Sequence, residues 1–506
     1  MPWNMLPREL SNEILTQVVE TACSSNEPIA RYASVCRGWQ AFFEWYTFCS
    51  LDVTPGDLDT FRSAFQAVQR RRYLQRLGLV LALPQHPPIR FHNSQGDTEE
   101  QTALLLMRMI WDGGPGAYYV PPGLKHQHGL DNMSFVSGVS SLFRLLAAWT
   151  RDQVSDKGVA LEIIADSKSY WQRMAERLRQ YGRLSAMHQR PVQNLWMVSG
   201  TRFLATSVSW RDWQGPICAA EVDFNFELGL YYGGACGGQG RIARTRGREE
   251  LFPIVRVITA VSIRRRTVRR FHPEAVRAIV RSLPCLQRLD WQLRPFVTCK
   301  SKRPFEHDIV KVLRALPSSL RHVHVTQVQM YLIRCRRRDY ECDGVLFRSI
   351  WARLSRLESL SLEYHGRTLE SYMKNNTTPW PKLERLVFAA RGSIGDHPTD
   401  DLNRLVQNAA RMLLRMPRLR FLMLYDTTGR GVGCFTCRVA DGAIALDLKC
   451  SWHFIPDAVS IASWQTTAAA RAVQNVTWDA GMPGISHIIQ YINLIRIKSP
   501  ILLRGG

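Results

Sequence analysis

The sequence predicts a solenoid-like protein of the α+β or α/β class: a small helical module at the N-terminus, then an irregular array of helices and strands. Three observations predict it. A motif of one apolar residue, two others, an apolar, one other and an apolar recurs through the second half of the chain. Helical runs precede several of its copies, and the first fifty residues carry apolar side chains at helical spacing. The 506 residues exceed the roughly 100–200 of one domain, and 45% hydrophobic with 22% charged residues excludes a largely disordered or fibrous chain.

Leu6, Leu10, Ile14, Val18 and Ala22 recur every four residues after Pro7, which predicts one amphipathic helix at the N-terminus. After the break at 24–28 a second begins at Pro28, with Val35, Trp39, Phe42 or Phe43, and Tyr46 on one face through about residue 48. From 51 to 250 helical stretches are expected at 58–72, 101–111, 134–149 and 167–181, and strand-like runs at 77–83, 159–164 and 217–231. Long loops at 86–96, 112–132 and 233–247 separate them, and the pieces do not order themselves into a fold.

The motif itself reads Leu286-x-x-Leu289-x-Trp291, Leu320-x-x-Val323-x-Val325, Leu357-x-x-Leu360-x-Leu362, Leu383-x-x-Leu386-x-Phe388 and Leu419-x-x-Leu422-x-Leu424. Leu74-x-x-Leu77-x-Leu79 and Val473-x-x-Val476-x-Trp478 also fit. Helical runs at 273–282, 305–316, 345–354 and 400–416 stand before several copies, so the unit is helix, turn, strand. Most starts lie further apart than the roughly 20–29 residues of a standard leucine-rich repeat, so the array is leucine-rich-repeat-like and irregular. The last two apolar positions of each strand point inward beneath the helices, giving neighbouring units a shared core. Separate βα units in an open sheet are the alternative. The chain divides as 1–50, 51–250 and 251–506.

Leu6-Pro7-x-Glu9-Leu10-x-x-Glu13-Ile14-Leu15, followed by Val35-Cys36-Arg37-x-Trp39, resembles an F-box. The stretches MPWN, YASVCRGWQAFFEW, SIRRRTVRRFHPEAV and AARMLLRMPRLRFLMLYD are similar to a family of filamentous-fungal F-box proteins. The resemblance implies a substrate-receptor subunit of an SCF-type (Skp, cullin, F-box) ubiquitin ligase, non-catalytic and without a cofactor. It implies that Leu6, Pro7, Leu10, Ile14, Leu15, Val35, Cys36 and Trp39 form the surface for the Skp-type adaptor. The alternative is that these residues are the core of a helical cap. The connector at 21–29 is longer than a compact F-box needs, and 84–88 reads Pro-Gln-His-Pro-Pro where relatives carry Cys-x-x-Cys, so no cysteine site carries over.

A net charge of +23 favours acidic partners or nucleic acid, and a basic nucleic-acid-binding repeat protein with a helical cap is the rival reading. A protein target is expected on the loops after the repeat strands, where Arg294, Arg334, Arg337 and His365 favour an acidic one. The densest basic runs, Arg264 to Arg266 with Arg269 and Arg270, and Arg334 with Arg336 to Arg338, can equally be solvated surface. Twelve scattered cysteines and no secretory or membrane-spanning run point to reduced thiols in a cytoplasmic or nuclear protein.

Catalytic motifs are absent: no Gly-x-Ser-x-Gly, His-Glu-x-x-His or P-loop occurs. Gly238-x-Gly240-x-x-Ala243 lacks the helix and the acidic residue of a dinucleotide site. Cys434-x-x-Cys437 with Cys450-x-x-His453 has the count of a zinc site. The segment reads instead as a hairpin turning at Ala440-Asp441-Gly442, which splits each pair across the sheet, so no metal is expected.

Overall fold

The structure, a computed structural model, describes residues 6–25, 27–82, 122–166, 195–198, 202–205, 229–230, 252–263, 270–271, 273–293, 302–327, 354–363, 379–389, 398–426, 433–440, 442–452, 454–473 and 475–481. In chain order they form α1 (Arg8–Ser24), α2 (Arg37–Phe48), β1 (Ser50–Val53), α3 (Leu58–Ala64), α4 (Val68–Tyr73), β2 (Arg76–Ala82), α5 (Pro122–Ala147), β3 (Val159–Asp166), β4 (Leu195–Val198), β5 (Arg202–Ala205), β6 (Gly229–Leu230), β7 (Ile258–Ile263) and β8 (Arg270–Phe271). There follow α6 (Pro273–Arg281), β9 (Arg288–Leu293), α7 (Lys302–Ala315), β10 (His322–Gln327), β11 (Ser359–Glu363), β12 (Arg385–Ala389), α8 (Pro398–Arg415), β13 (Phe421–Asp426), β14 (Gly433–Ala440), β15 (Ala443–Cys450), α9 (Ala458–Ala470) and β16 (Asn475–Gly481).

The architecture is mixed α+β, built on an open twelve-stranded sheet in the order β1-β2-β3-β7-β9-β10-β11-β12-β13-β14-β15-β16. Strands from β1 to β13 run parallel; β14 is antiparallel to both β13 and β15, and β16 returns parallel to β15. Two short pairs, β4 with β5 and β6 with β8, stand apart from this sheet. Because β3 pairs with β7, the sheet passes from the first half of the chain into the second without a break.

The recurring motif is what sets this sheet. Its first leucines, Leu74, Leu286, Leu320, Leu357, Leu383 and Leu419, are buried just before their strands. Its second positions align across the parallel ladder as Leu289, Val323, Leu360, Leu386 and Leu422, and its third as Trp291, Val325, Leu362, Phe388 and Leu424. Leu77 and Leu79 continue the two rows through Leu161 and Ile163 on β3. With a side-chain period of two, one whole face is therefore apolar. Helices cover it with residues at 3.6-residue spacing, such as Val276, Ile279 and Val280 of α6 and Leu402, Leu405, Val406, Ala409 and Leu413 of α8, in the same core.

Successive units are also tied before each strand begins. The Gln287 carbonyl accepts from the amides of Arg321 and His322 at 2.8 and 2.9 Å. The carbonyls of Arg321, Glu358 and Glu384 repeat this toward the next unit, and Cys49 does so toward Gln75 and Arg76, both at 2.9 Å. These bonds leave little freedom for a unit to slip in register.

Two sequence expectations change and one holds. The helix expected at 58–72 is α3 and α4, because Phe65 leaves helical geometry (φ −99°, ψ 20°) and Ala67 is extended. Phe65 is buried there against Phe48, Phe61 and Trp149, which a straight helix would prevent. The second N-terminal helix is a 3₁₀ turn at Ile29–Ser34 and then α2, separated by the extended Cys36. The hairpin expected at 434–450 forms, with Gly442 at φ +72° in its turn, a conformation that favours glycine. Helical stretches at 101–111 and 167–181, most of 217–231, and the basic run at 334–338 lie outside the described residues. No described helix is long and apolar enough to cross a membrane.

Candidate functional site

The N-terminal module is held together by an aromatic core. The amide of Ser11 bonds the Pro7 carbonyl at 3.0 Å as α1 begins, and Ser24 and Ser25 return their hydroxyls to the Thr21 carbonyl where it ends. Leu15, Val19 and Phe43 are buried together, with Val18, Ile29, Tyr32, Trp39 and Phe42 packed against them. Phe43 lies 5.5 Å from the Tyr32 ring, 5.7 Å from Trp39 and 5.3 Å from Phe42. Pro28 precedes the 3₁₀ turn that brings Tyr32 to this stack, and Cys36 then redirects the chain into α2.

This packing sorts the expected adaptor residues into two groups. Leu15 is buried, and Trp39 is half-buried against Tyr32 and Phe43, so both belong to the module's interior. Leu10, Ile14 and Val35 remain 48%, 39% and 59% exposed, and Pro7 and Cys36 are exposed as well. Leu6 is intermediate. The face expected to be buried at every fourth residue of α1 is thus partly outward, and the inward set is Leu15, Val19 and Ala22. The sequence does not single out Trp45 of α2, which is exposed, and Tyr46, expected on the inner apolar face of that helix, is exposed as well.

The module is joined to the sheet through several contacts. Only Cys49 lies between α2 and β1. Arg70 of α4 reaches Glu44 of α2 at 2.9 Å and sits 5.0 Å over the Phe48 ring. That hydrogen bond holds the Glu44 carboxyl below its ordinary range despite partial burial.

The sheet face opposite the apolar rows carries polar side chains in register. Asp52, Gly78, Glu162, Ser262, Asp290, His324 and Ser361 form one row across seven strands. Arg76 bridges Asp52 at 3.1 Å and Glu162 at 2.6 Å, and Gly78 leaves the space that the Asp52 carboxylate occupies. His324 Nδ1 lies 3.4 Å from Asp290 Oδ1. His322, in the adjoining row, has its pKa lowered, first by burial and then by Arg288. Further along, this face turns apolar: Val387, Ala389, Met423, Tyr425 and Cys434 are buried together, and among the described residues that cluster consists of strand residues alone. The expected target-binding residues Arg294, Arg334, Arg337 and His365 lie outside the described residues.

Cys434 and Cys437 fall on opposite sheet faces: Cys434 in the Val387–Tyr425 cluster, Cys437 with Cys450 in the main core. Burial pushes the thiols of Cys437 and Cys450 up to about 12 and raises that of Cys434 too. Buried neutral thiols are poor metal ligands. Among the described residues no group of three His, Cys, Asp or Glu is arranged to hold a metal ion.

Residues 315–502 match a family of unknown function, DUF6546. The matched span contains β10 to β16 with α8 and α9, so the family is similar to the C-terminal part of the sheet and not to the N-terminal module. No curated protein matches the chain.

Proposed function

We propose that the chain is the substrate-receptor subunit of an SCF-type ubiquitin ligase. The observation that carries this reading is the outward placement of Leu10, Ile14 and Val35, beside exposed Pro7 and Cys36, on a module whose interior is already filled by Leu15, Val19 and Phe43. An apolar set that the module does not use for its own packing suits a protein interface. Supporting it is the order of the F-box-like residues from Leu6 to Trp39. In this reading the module binds a Skp-type adaptor, itself bound to a cullin scaffold, in the cytoplasm or nucleus. The sheet is the solenoid-like, leucine-rich-repeat-like array behind it, and a protein target, acidic by preference, sits on strand-end loops with Arg294, Arg334, Arg337 and His365. The chain adds no catalytic group and no cofactor; it supplies proximity, holding a target lysine near the charged enzyme.

The test is copurification from native cells, with the attached proteins identified. An adaptor and cullin recovered through residues 6–46, and lost on substitution there, support the reading. Recovery of nucleic acid that survives physiological salt, with no adaptor, replaces it with the basic-repeat reading.

A further inference from the structure

The edge of the sheet at which the parallel strands begin is basic. Arg256, Arg281, Arg356, Lys382, Arg418 and Arg420 are exposed, and each stands shortly ahead of β7, β9, β11, β12 or β13. Because these strands are parallel, their starts share one edge, and the order β7-β9-β10-β11-β12-β13 spreads the six cations over roughly 24 Å. Among the described residues none of the six enters a salt bridge. The opposite edge differs: β3, β11 and β13 end on Asp166, Glu363 and Asp426.

The fold alone does not ask for this charge. Arg281 closes α6, where a cation complements the helix C-terminus. Arg418 and Arg420, however, follow an α8 that already ends on Arg415, and Arg256 and Lys382 stand in turns that follow no described helix. A row of like charges opposes the compact state unless an anionic partner answers it. The row is also held firmly. The carbonyls of Gln287, Arg321, Glu358 and Glu384 tie each turn to the next, and Pro381 and Pro417 immediately precede Lys382 and Arg418. Cations fixed in this way lose little freedom when a partner binds.

Two carboxylates within the row select the kind of partner. Glu384 is exposed beside Lys382, and Glu358 lies 3.8 Å from Arg321 and 3.9 Å from His322. A nucleic-acid backbone, charged at every phosphate, sets an anion against each of them, whereas a polypeptide can place a neutral or basic side chain there. Among the described residues of these turns no Trp, Tyr or Phe is exposed for bases to stack on. We infer that this edge is a docking strip for an acidic polypeptide segment, extended across β7 to β13 and about seven residues long at roughly 3.3 Å each. The strip is independent of the ligase reading, because it uses neither the outward residues of the N-terminal module nor the loops that follow the strands.

The probe is a fluorescein-labelled polyglutamate peptide of about ten residues, titrated against the full chain by fluorescence anisotropy at about 150 mM salt. Arg256→Glu, Arg356→Glu and Arg418→Glu together should weaken binding at least about tenfold. Arg37→Glu, Arg62→Glu and Arg404→Glu, at exposed positions on α2, α3 and α8, change the net charge equally and should weaken it less than about twofold. If the strip variant melts below the wild type, Arg256→Gln, Arg356→Gln and Arg418→Gln take its place, with an expected loss of about threefold. The inference is overturned if the wild type fails to bind the peptide, if both charge-reversed variants weaken it alike, or if neither does. A DNA duplex of about 20 base pairs that binds more tightly than the peptide, and loses affinity only in the strip variant, overturns it also, because the occupant is then a phosphate backbone.

Discussion

Replacing Leu10, Ile14 and Val35 together by alanine should separate adaptor binding from folding. Fully burying a Leu, Ile or Val side chain stabilises by about 1.5–3 kcal/mol. In the free protein these three are only about half covered, so docking can bury about half of each, worth roughly 1 kcal/mol apiece. The triple variant should then lose about 3 kcal/mol of binding, on the order of a hundredfold in Kd. Its melting temperature should stay close to wild type, since the module's core of Leu15, Val19 and Phe43 is untouched. Phe43→Ala is the contrasting control: it empties the centre of three aromatic contacts and should cost about 3–5 kcal/mol of stability, removing binding by unfolding the module. The assay is titration of purified adaptor against each variant, beside thermal melts. Wild-type affinity in a well-folded triple variant would refute the placement of the adaptor on this face. So would tight binding by a Phe43→Ala protein whose module has melted.

Three further outcomes are expected. A Cβ at Gly78 would fall 2.1 Å from Asp52 Oδ1, so Gly78→Ala should destabilise by about 1–3 kcal/mol in urea melts, and Asp52→Ser in the same chain should recover part of it; an additive pair would show that the two do not share space. Glu44, whose carboxyl is lowered in the folded state, contributes stability that is fully present above the ordinary glutamate value of about 4.3 and is lost as pH falls through the lowered one. Glu44→Gln should therefore flatten that part of the acid limb, and an unchanged limb would count against the Arg70 pairing. Cys434, Cys437 and Cys450 should resist maleimide at pH 8 until the protein is denatured, whereas exposed Cys36 reacts at once; stoichiometric zinc in the purified protein, or early labelling of the three, would contradict the hairpin packing.

The strands were legible because their pattern is local. A leucine before the strand and two apolar residues two apart within it are visible without knowing the neighbours, and Leu286 to Leu424 landed in register as that pattern implies. On α1 the same reasoning failed for a geometric reason. Residues four apart advance 400° on a helix of 3.6 residues per turn, so Leu6, Leu10, Ile14, Val18 and Ala22 drift about 40° at each step and cannot share one face. Leu15 and Val19 fill the interior, and Leu10 and Ile14 face out. β1 is four residues, too short to show a period. The Asp290–His324 and Arg76–Glu162 contacts join residues far apart in sequence and exist only once strand pairing is known.

The joint between α2 and β1 fixes how far apart two events on this molecule can be. With one residue between them, the Cys49 carbonyl held by two amides and Arg70 clamped to Glu44, the first helices cannot swivel against the sheet. From β1 onward each strand adds about 4.8 Å, so the twelve strands measure out roughly 50 Å along the sheet. The molecule is then a ruler with its zero mark at the N-terminal module. Whatever binds beside β9 is held at a different reach from whatever binds beside β14, and the reach is set by counting strands rather than by the length of a tether.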